Sequence, residues 1–217
     1  MERYKNKLTK LSQPEYRLDL SWVGSVQAVK AFHNLLVAYR GVLELPEIAQ
    51  ALGEDHMGKT PTRVVKGLSE LLGGYKVNPV SILTTSFRAG KYNEMITVGD
   101  IGFTSLCAHH MLPFMGKCYF AYIPDKHIVG LSKIPRMIDV LAHRLQVQET
   151  LSEQIVDCFQ QTVKPKGCAI VIQATHLCMS IRGVKKEGAY MRTTALRGIF
   201  SKDESAKAEF LSGIGRV

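Results

Sequence analysis

Apolar positions recur along this chain with two different periods, and the change of period divides it. Residues 25–52 read as helical, with Val29, Phe32 and Leu36 at i, i+3 and i+7. Pro46 is placed to start a second short helix carrying Ile48 and Leu52. The segment GKTPTRVVKGLSELLGG, residues 58–74, predicts a further helix. Thr60 can cap it, Pro61 suits its first position, Val64, Leu68 and Leu71 form its apolar stripe, and Gly73-Gly74 ends it.

Beyond residue 92 the pattern changes. MITVGDI (95–101) and KCYFAYIP (117–124) read as strands, the second running into a turn at Pro124-Asp125. Residues 134–145 return to a helical period, with Ile134, Ile138 and Leu141 on one face. Residues 148–163 form a second helix, with Leu151, Ile155, Phe159 and Val163 four apart, stopped by Pro165 and Gly167. Residues 167–184, rich in β-branched side chains, predict a long strand. Residues 192–200 predict another, and 201–214 a closing helix. The order predicts an α+β fold in which an antiparallel sheet is backed by helices on one face. Its division is a helical region over residues 1–92 and a sheet-bearing domain over 93–217.

Composition narrows the setting. The 217 residues suffice for one sizeable domain with an extension. No apolar run reaches the roughly 18 residues of a membrane span, and the charged N-terminus lacks a signal peptide's apolar stretch. A cytoplasmic protein with no membrane partner is expected. Five scattered cysteines do not make a disulfide framework. The net charge of +9 fits either a nucleic-acid surface or a site for a highly charged small anion. Arg182, Lys185, Lys186, Arg192 and Arg197 stand in a segment broken by Gly183 and Gly188, which suits a phosphate-binding loop as well as a nucleic-acid face.

The densest chemistry lies in SLCAHHMLPF, residues 105–114. Cys107 and His110 have the Cys-x2-His spacing with which a tight turn aims two side chains at one ion, and ATHLCMS adds Cys178. Three protein ligands leave a fourth position open, the mark of a catalytic zinc rather than a structural one. His109 and His176 stand beside this set as proton donors or acceptors. His176 and Cys178, two apart in the expected strand, would share a face. Ser132 and Lys133 open a helix where an anion is favoured, with Arg136 in the turn after them. Gln148 and Glu149 sit at the junction of two helices. A carboxylate there can accept two hydrogen bonds side by side, or merely favour a helix start. Arg63 lies in the first turn of its helix, where the dipole disfavours a cation.

The segments ALGEDHMGKTPTRV, SLCAHHMLPFMGK, AYIPDKHIVGLSKIPR, RLQVQETLSEQI, ATHLCMSIRGV and EFLSGI, in this order, resemble the GTP cyclohydrolase I family from about residue 50 onward. The resemblance implies the tunnelling fold, with sheets of several subunits joined in an oligomeric barrel. The assembly it implies is a homo-oligomer, a decamer of two pentamers. It implies one zinc per subunit on Cys107, His110 and Cys178, and catalytic roles for His109 and His176. Gln148 and Glu149 match residues that hold the guanine of GTP. Ser132, Lys133, Arg136 and Arg182 match triphosphate and ribose contacts. Arg63 and Lys66 match basic residues given by a neighbouring subunit. The implied reaction is hydrolytic opening of the guanine imidazole ring, with loss of formate and closure to 7,8-dihydroneopterin triphosphate, the first step towards tetrahydrofolate and other pterins.

Two departures are visible. Position 108, usually Glu in the family's Cys-Glu-His-His, is Ala, and Met57-Gly58 stands where the family has glycine-leucine. The rival readings are a diverged tunnelling-fold enzyme acting on another purine nucleotide or stopping at the formamide intermediate, a nucleic-acid-binding module with a structural zinc, and an inactive GTP-binding regulator. Three ligands rather than four, and no interleaving of aromatic and basic residues beside them, disfavour nucleic acid as partner.

Overall fold

A computed structural model of the chain describes residues 26–43, 45, 48, 50 and 59–214. Residues 1–20, most of the short helix expected from Pro46 and the Met57-Gly58 step lie outside these. Chain contacts group the protein into two compact units, one ending at Ser69 and one beginning at Glu70. In the first, helix α1 spans Val26–Leu43 and buries Leu36. Helix α2, Thr60–Leu71, begins at Thr60 itself, and the Arg63 N–H donates to the carbonyl of Lys59 just before it. Its buried positions are Pro61, Val65 and Ser69, and Val64, Leu68 and Leu71 are only half-buried, so its inner stripe is rotated by one position from the expected one. Among the described residues no helix is long and apolar enough to cross a membrane.

The second unit is built on strands β2 (Ile96–Cys107), β3 (Pro113–Ile123), β5 (Leu145–Gln146), β6 (Gly167–His176) and β7 (Met191–Gly198). They lie in the order β5-β2-β3-β6-β7. All neighbours are antiparallel except the two-residue β2–β5 pairing at Leu106 and Cys107, which makes one edge parallel. Strands β1 (Ser86–Arg88) and β4 (His127–Val129) form a small separate antiparallel pair. Helices α3 (Pro79–Ile82), α4 (Lys133–Ala142) and α5 (Gln148–Val163) precede β6. A helical turn α6 (Leu177–Ser180) follows it, and α7 (Ile199–Lys202) and α8 (Glu204–Gly213) end the described chain.

Strand alternation sorts the core into two faces. Phe114, Cys118, Phe120 and Tyr122 of β3, with Cys168, Ile170 and Ile172 of β6, meet Ile134, Met137 and Ile138 of α4 and Leu151, Ile155 and Phe159 of α5. Phe159 packs its ring against Phe120 at 4.8 Å and Tyr122 at 5.0 Å between centroids. On the opposite face Tyr119, Ala121, Ala169 and Val171 meet Phe200, Phe210 and Ile214. Helices therefore cover part of both faces, not one. The C-terminal helix supplies the second cover because Phe200 and Phe210 are the large apolar side chains left to bury there.

One polar knot fixes the bend from α4 into α5. The Arg144 guanidinium donates to the carbonyls of Gly74, Val77 and Val140 and lies 5.6 Å from the centre of the Tyr75 ring. This brings the Gly73–Lys76 turn against α4 so closely that a Cβ on Gly74 would sit 2.1 Å from the Val140 carbonyl oxygen. Gly74→Ala is therefore expected to destabilise the protein by about 1–3 kcal/mol through overpacking. Gly73→Ala, with nothing within 4 Å of the added carbon, is expected to stay within about 1 kcal/mol. Thermal unfolding of both variants beside the parent checks the contrast.

Candidate metal and catalytic centre

The connection between β2 and β3 is a tight turn held by backbone bonds. The Cys107 N–H donates to the Leu112 carbonyl at 2.9 Å, and the Met111 N–H donates back to the Cys107 carbonyl at 2.8 Å. Met111 takes a left-handed conformation, φ 53°, to close the loop. Cys107, buried at the end of β2, thereby faces the exposed His110, with Sγ 3.7 Å from His110 Nδ1. His109 Nδ1 lies 3.9 Å from the same sulfur.

Cys178 arrives from elsewhere. Sharing one face with His176 by alternation requires a strand that continues past Cys178, but β6 ends at His176. The chain then makes the helical turn α6, in which the Ser180 hydroxyl donates to the His176 carbonyl and the Ile181 N–H to the Leu177 carbonyl. Cys178 sits in that turn, and the ligand atoms of Cys107, His110 and Cys178 all lie within 4.8 Å of one another.

Two thiols and an imidazole at this spacing fit a tetrahedral divalent ion. Zinc bond lengths of about 2.3 Å to sulfur and 2.0 Å to nitrogen put such a pair about 3.5 Å apart, close to the 3.7 Å between Cys107 and His110. Burial, and then the Cys107 thiol beside it, raise the Cys178 thiol above its ordinary range, while Arg182 pulls it down. A bound cation reverses that balance by stabilising both thiolates.

His176 lies on the β6 side of the centre. Its ring stacks on Phe114, parallel to within 1° at 4.5 Å, and its Nε2 is 2.8 Å from Gln148 Oε1. Burial holds the His176 pKa below that of an ordinary histidine, and Glu149 partly offsets this. Gln148 and Glu149 are the first two residues of α5, one buried and the other exposed. Ser132 and Lys133 stand at the N-terminus of α4, with exposed Arg136 a turn on, and Arg182 begins the exposed loop after α6. Arg63 and Lys66 are exposed on α2, in the first unit.

The centre therefore assembles Cys107, His110 and Cys178 with His109 beside them, and holds His176 through Gln148. Sequence reasoning missed three supports: Phe114 beneath His176, and Thr193 and Ser152 behind Gln148. Phe114 carried a signal, since it ends the SLCAHHMLPF segment. Thr193 and Ser152 carried none.

Residues 38–215 match the model of one protein family, GTP cyclohydrolase I. The chain is 51% identical to the GTP cyclohydrolase 1 of Chlorobaculum tepidum over 185 residues, 85% of this chain and 79% of that protein. It is 45% identical to the GTP cyclohydrolase 1 of Porphyromonas gingivalis over 174 residues, 78% of this chain and 90% of that one. A crystal structure of the archaeosine synthase QueF-Like in the apo form is similar at a TM-score of 0.40 and 14% identity, covering 48% of this chain and 93% of that one, too slight a likeness to argue from. Joined to the geometry of the centre, the family match over most of the chain settles its kinship: the protein belongs to the GTP cyclohydrolase I family.

Proposed function

We infer that this chain is a zinc-dependent GTP cyclohydrolase I, hydrolysing GTP to formate and 7,8-dihydroneopterin triphosphate. The observation that carries the reading is the convergence of Cys107, His110 and Cys178 within 4.8 Å, in a chain 51% identical to a GTP cyclohydrolase 1. Soft thiolates with an imidazole favour zinc among the common divalent ions. A zinc ion held by these three residues supplies Lewis-acid polarisation of water and of substrate oxygen.

The chain's own residues do the rest. Glu149 accepts from N1–H and the exocyclic amine of guanine. Ser132, Lys133 and Arg136 at the start of α4, with Arg182, bind the triphosphate and ribose, where helix N–H groups favour an anion. Holding both ends of the nucleotide fixes the reacting carbon. His109 and His176 move protons on and off the ring nitrogens. One water breaks the C8–N9 bond to leave a formamide on N7. A second releases formate. The ribose then rearranges and closes the pterin ring with loss of water, so the net reaction consumes one water. We further assign Arg63 and Lys66 to the site of a neighbouring subunit in a decamer of two pentamers.

Incubating the metal-loaded protein with GTP is expected to yield formate and, after oxidation, pterin fluorescence in equal amounts, both abolished by a chelator. Zinc bound with neither product would refute the reading. Cys178→Ser is expected to lose zinc and activity together while keeping its far-UV circular dichroism, and metal retained after dialysis against a weak chelator checks this. His109→Ala is expected to keep its zinc and lose about 10²–10⁴-fold in kcat, the usual worth of a positioned acid or base. Normal turnover by that variant would remove His109 from proton transfer.

A further inference from the structure

We propose that Gln148 is a positioning residue, whose amide fixes His176 in the tautomer carrying its proton on Nε2 and so makes Nδ1 the nitrogen available for proton transfer. The proton-transfer part rests on the function inferred above. The tautomer part stands on hydrogen-bond geometry alone.

The Gln148 side chain is 1% exposed. Its Nε2 lies 3.1 Å from each of three atoms: the Ile172 carbonyl oxygen, the Met191 carbonyl oxygen and Thr193 Oγ1. Two of these can only accept. The amide nitrogen must therefore face β6 and β7, because the flipped amide would set its oxygen against two carbonyl oxygens. With the nitrogen so placed, Oε1 faces His176 Nε2 at 2.8 Å. An amide oxygen can only accept, so His176 Nε2 must carry hydrogen. In the neutral ring Nδ1 is then left with its lone pair.

The surroundings hold this arrangement from both sides. Thr193 Oγ1 is 2.7 Å from Ser152 Oγ, and the Ser152 hydroxyl donates to the Gln148 carbonyl at 3.0 Å, closing a loop of bonds around the amide. Phe114 stacked flat on His176 fixes the plane of the imidazole. With both amide hydrogens shared among three acceptors, Gln148 has no donor left for a nucleotide base. Guanine recognition by side chain at this junction then falls to the exposed Glu149.

The test uses the zinc-loaded full chain with ring-15N histidine and magic-angle-spinning NMR, which tolerates any assembly size, His176 being assigned by loss of its signals in His176→Asn. The expected spectrum shows His176 protonated on Nε2 with an unprotonated Nδ1. The reverse pattern, or a mixture, overturns the proposal. In Gln148→Leu the Nδ1–H form is expected to appear. That variant's kcat on GTP is expected to fall about 10²-fold, in the range of a mispositioned acid or base, with KM held within about twofold. A raised KM with unchanged kcat would make Gln148 a guanine contact and overturn it. If Gln148→Leu does not fold, the parent spectrum decides. If the parent makes no formate, the inferred function fails while the spectrum still judges the tautomer.

Discussion

The centre depends on a backbone ladder in which no functional side chain takes part. Strands β3 and β6 pair through ten consecutive positions, from Phe114 opposite His176 to Ile123 opposite Gly167. They approach so closely at Gly116 that a Cβ there would lie 1.9 Å from the Gln173 carbonyl oxygen. The register sets Phe114 beneath His176 and starts the α6 turn where Cys178 can reach across to Cys107. A slip of one residue would reverse every side chain of β6 between the faces. It would take His176 off Phe114 and carry Cys178 out of the ligand group together. The register of this ladder thus seats His176 on Phe114 and brings Cys178 towards Cys107.

The start of α5 converts that ladder into two different environments one residue apart. Successive helical positions are turned by about 100°, so Gln148 points into the core while Glu149 stays exposed. The buried amide ties the helix to carbonyls of β6 and β7. Its desolvation cost, typically about 1–3 kcal/mol when unpaired, is offset because its nitrogen finds acceptors. The exposed carboxylate keeps its hydration. Adjacent polar residues that look alike in sequence therefore meet unlike surroundings, one buried against its neighbours and one in solvent.

How far the sequence could be read follows from the range of the interactions involved. Helix α5 was legible end to end, because Leu151, Ile155 and Phe159 repeat at its period and Pro165 lies just past its end. Strand β2 runs six residues beyond its expected end at Ile101. Ser105, Leu106 and Cys107 are all buried, so the alternation that marks a half-exposed strand disappears there. Strand β6 was overextended for a related reason. Leu177, Cys178, Met179 and Ile181 are as apolar as the strand before them, and the turn is closed by hydrogen bonds that no propensity scale records. The Cys107, His110 and Cys178 group was legible as residue types at a spacing, but the alternation argument that set His176 and Cys178 on one face failed where the strand stopped. The bonds by which Gln148 ties α5 to β6 and β7 were not legible, since its partners lie 24, 43 and 45 positions away.

Ala108 can be weighed in the same terms. A carboxylate at this position could have steadied the turn that presents Cys107, His109 and His110. In this chain the turn is held by main-chain bonds instead. Cys107 bonds to Leu112, Met111 to Cys107, and the Ala108 N–H donates to the Gln146 carbonyl at 2.9 Å, continuing the parallel edge between β2 and β5. Gln146 is fixed in turn, its buried amide donating to the Leu141 carbonyl and to Gln154. The Ala108 side chain is exposed and makes none of these contacts. Losing a carboxylate there leaves the scaffold of the ligand turn intact, because that scaffold is backbone pairing anchored on Gln146, and backbone pairing is indifferent to the side chain it carries.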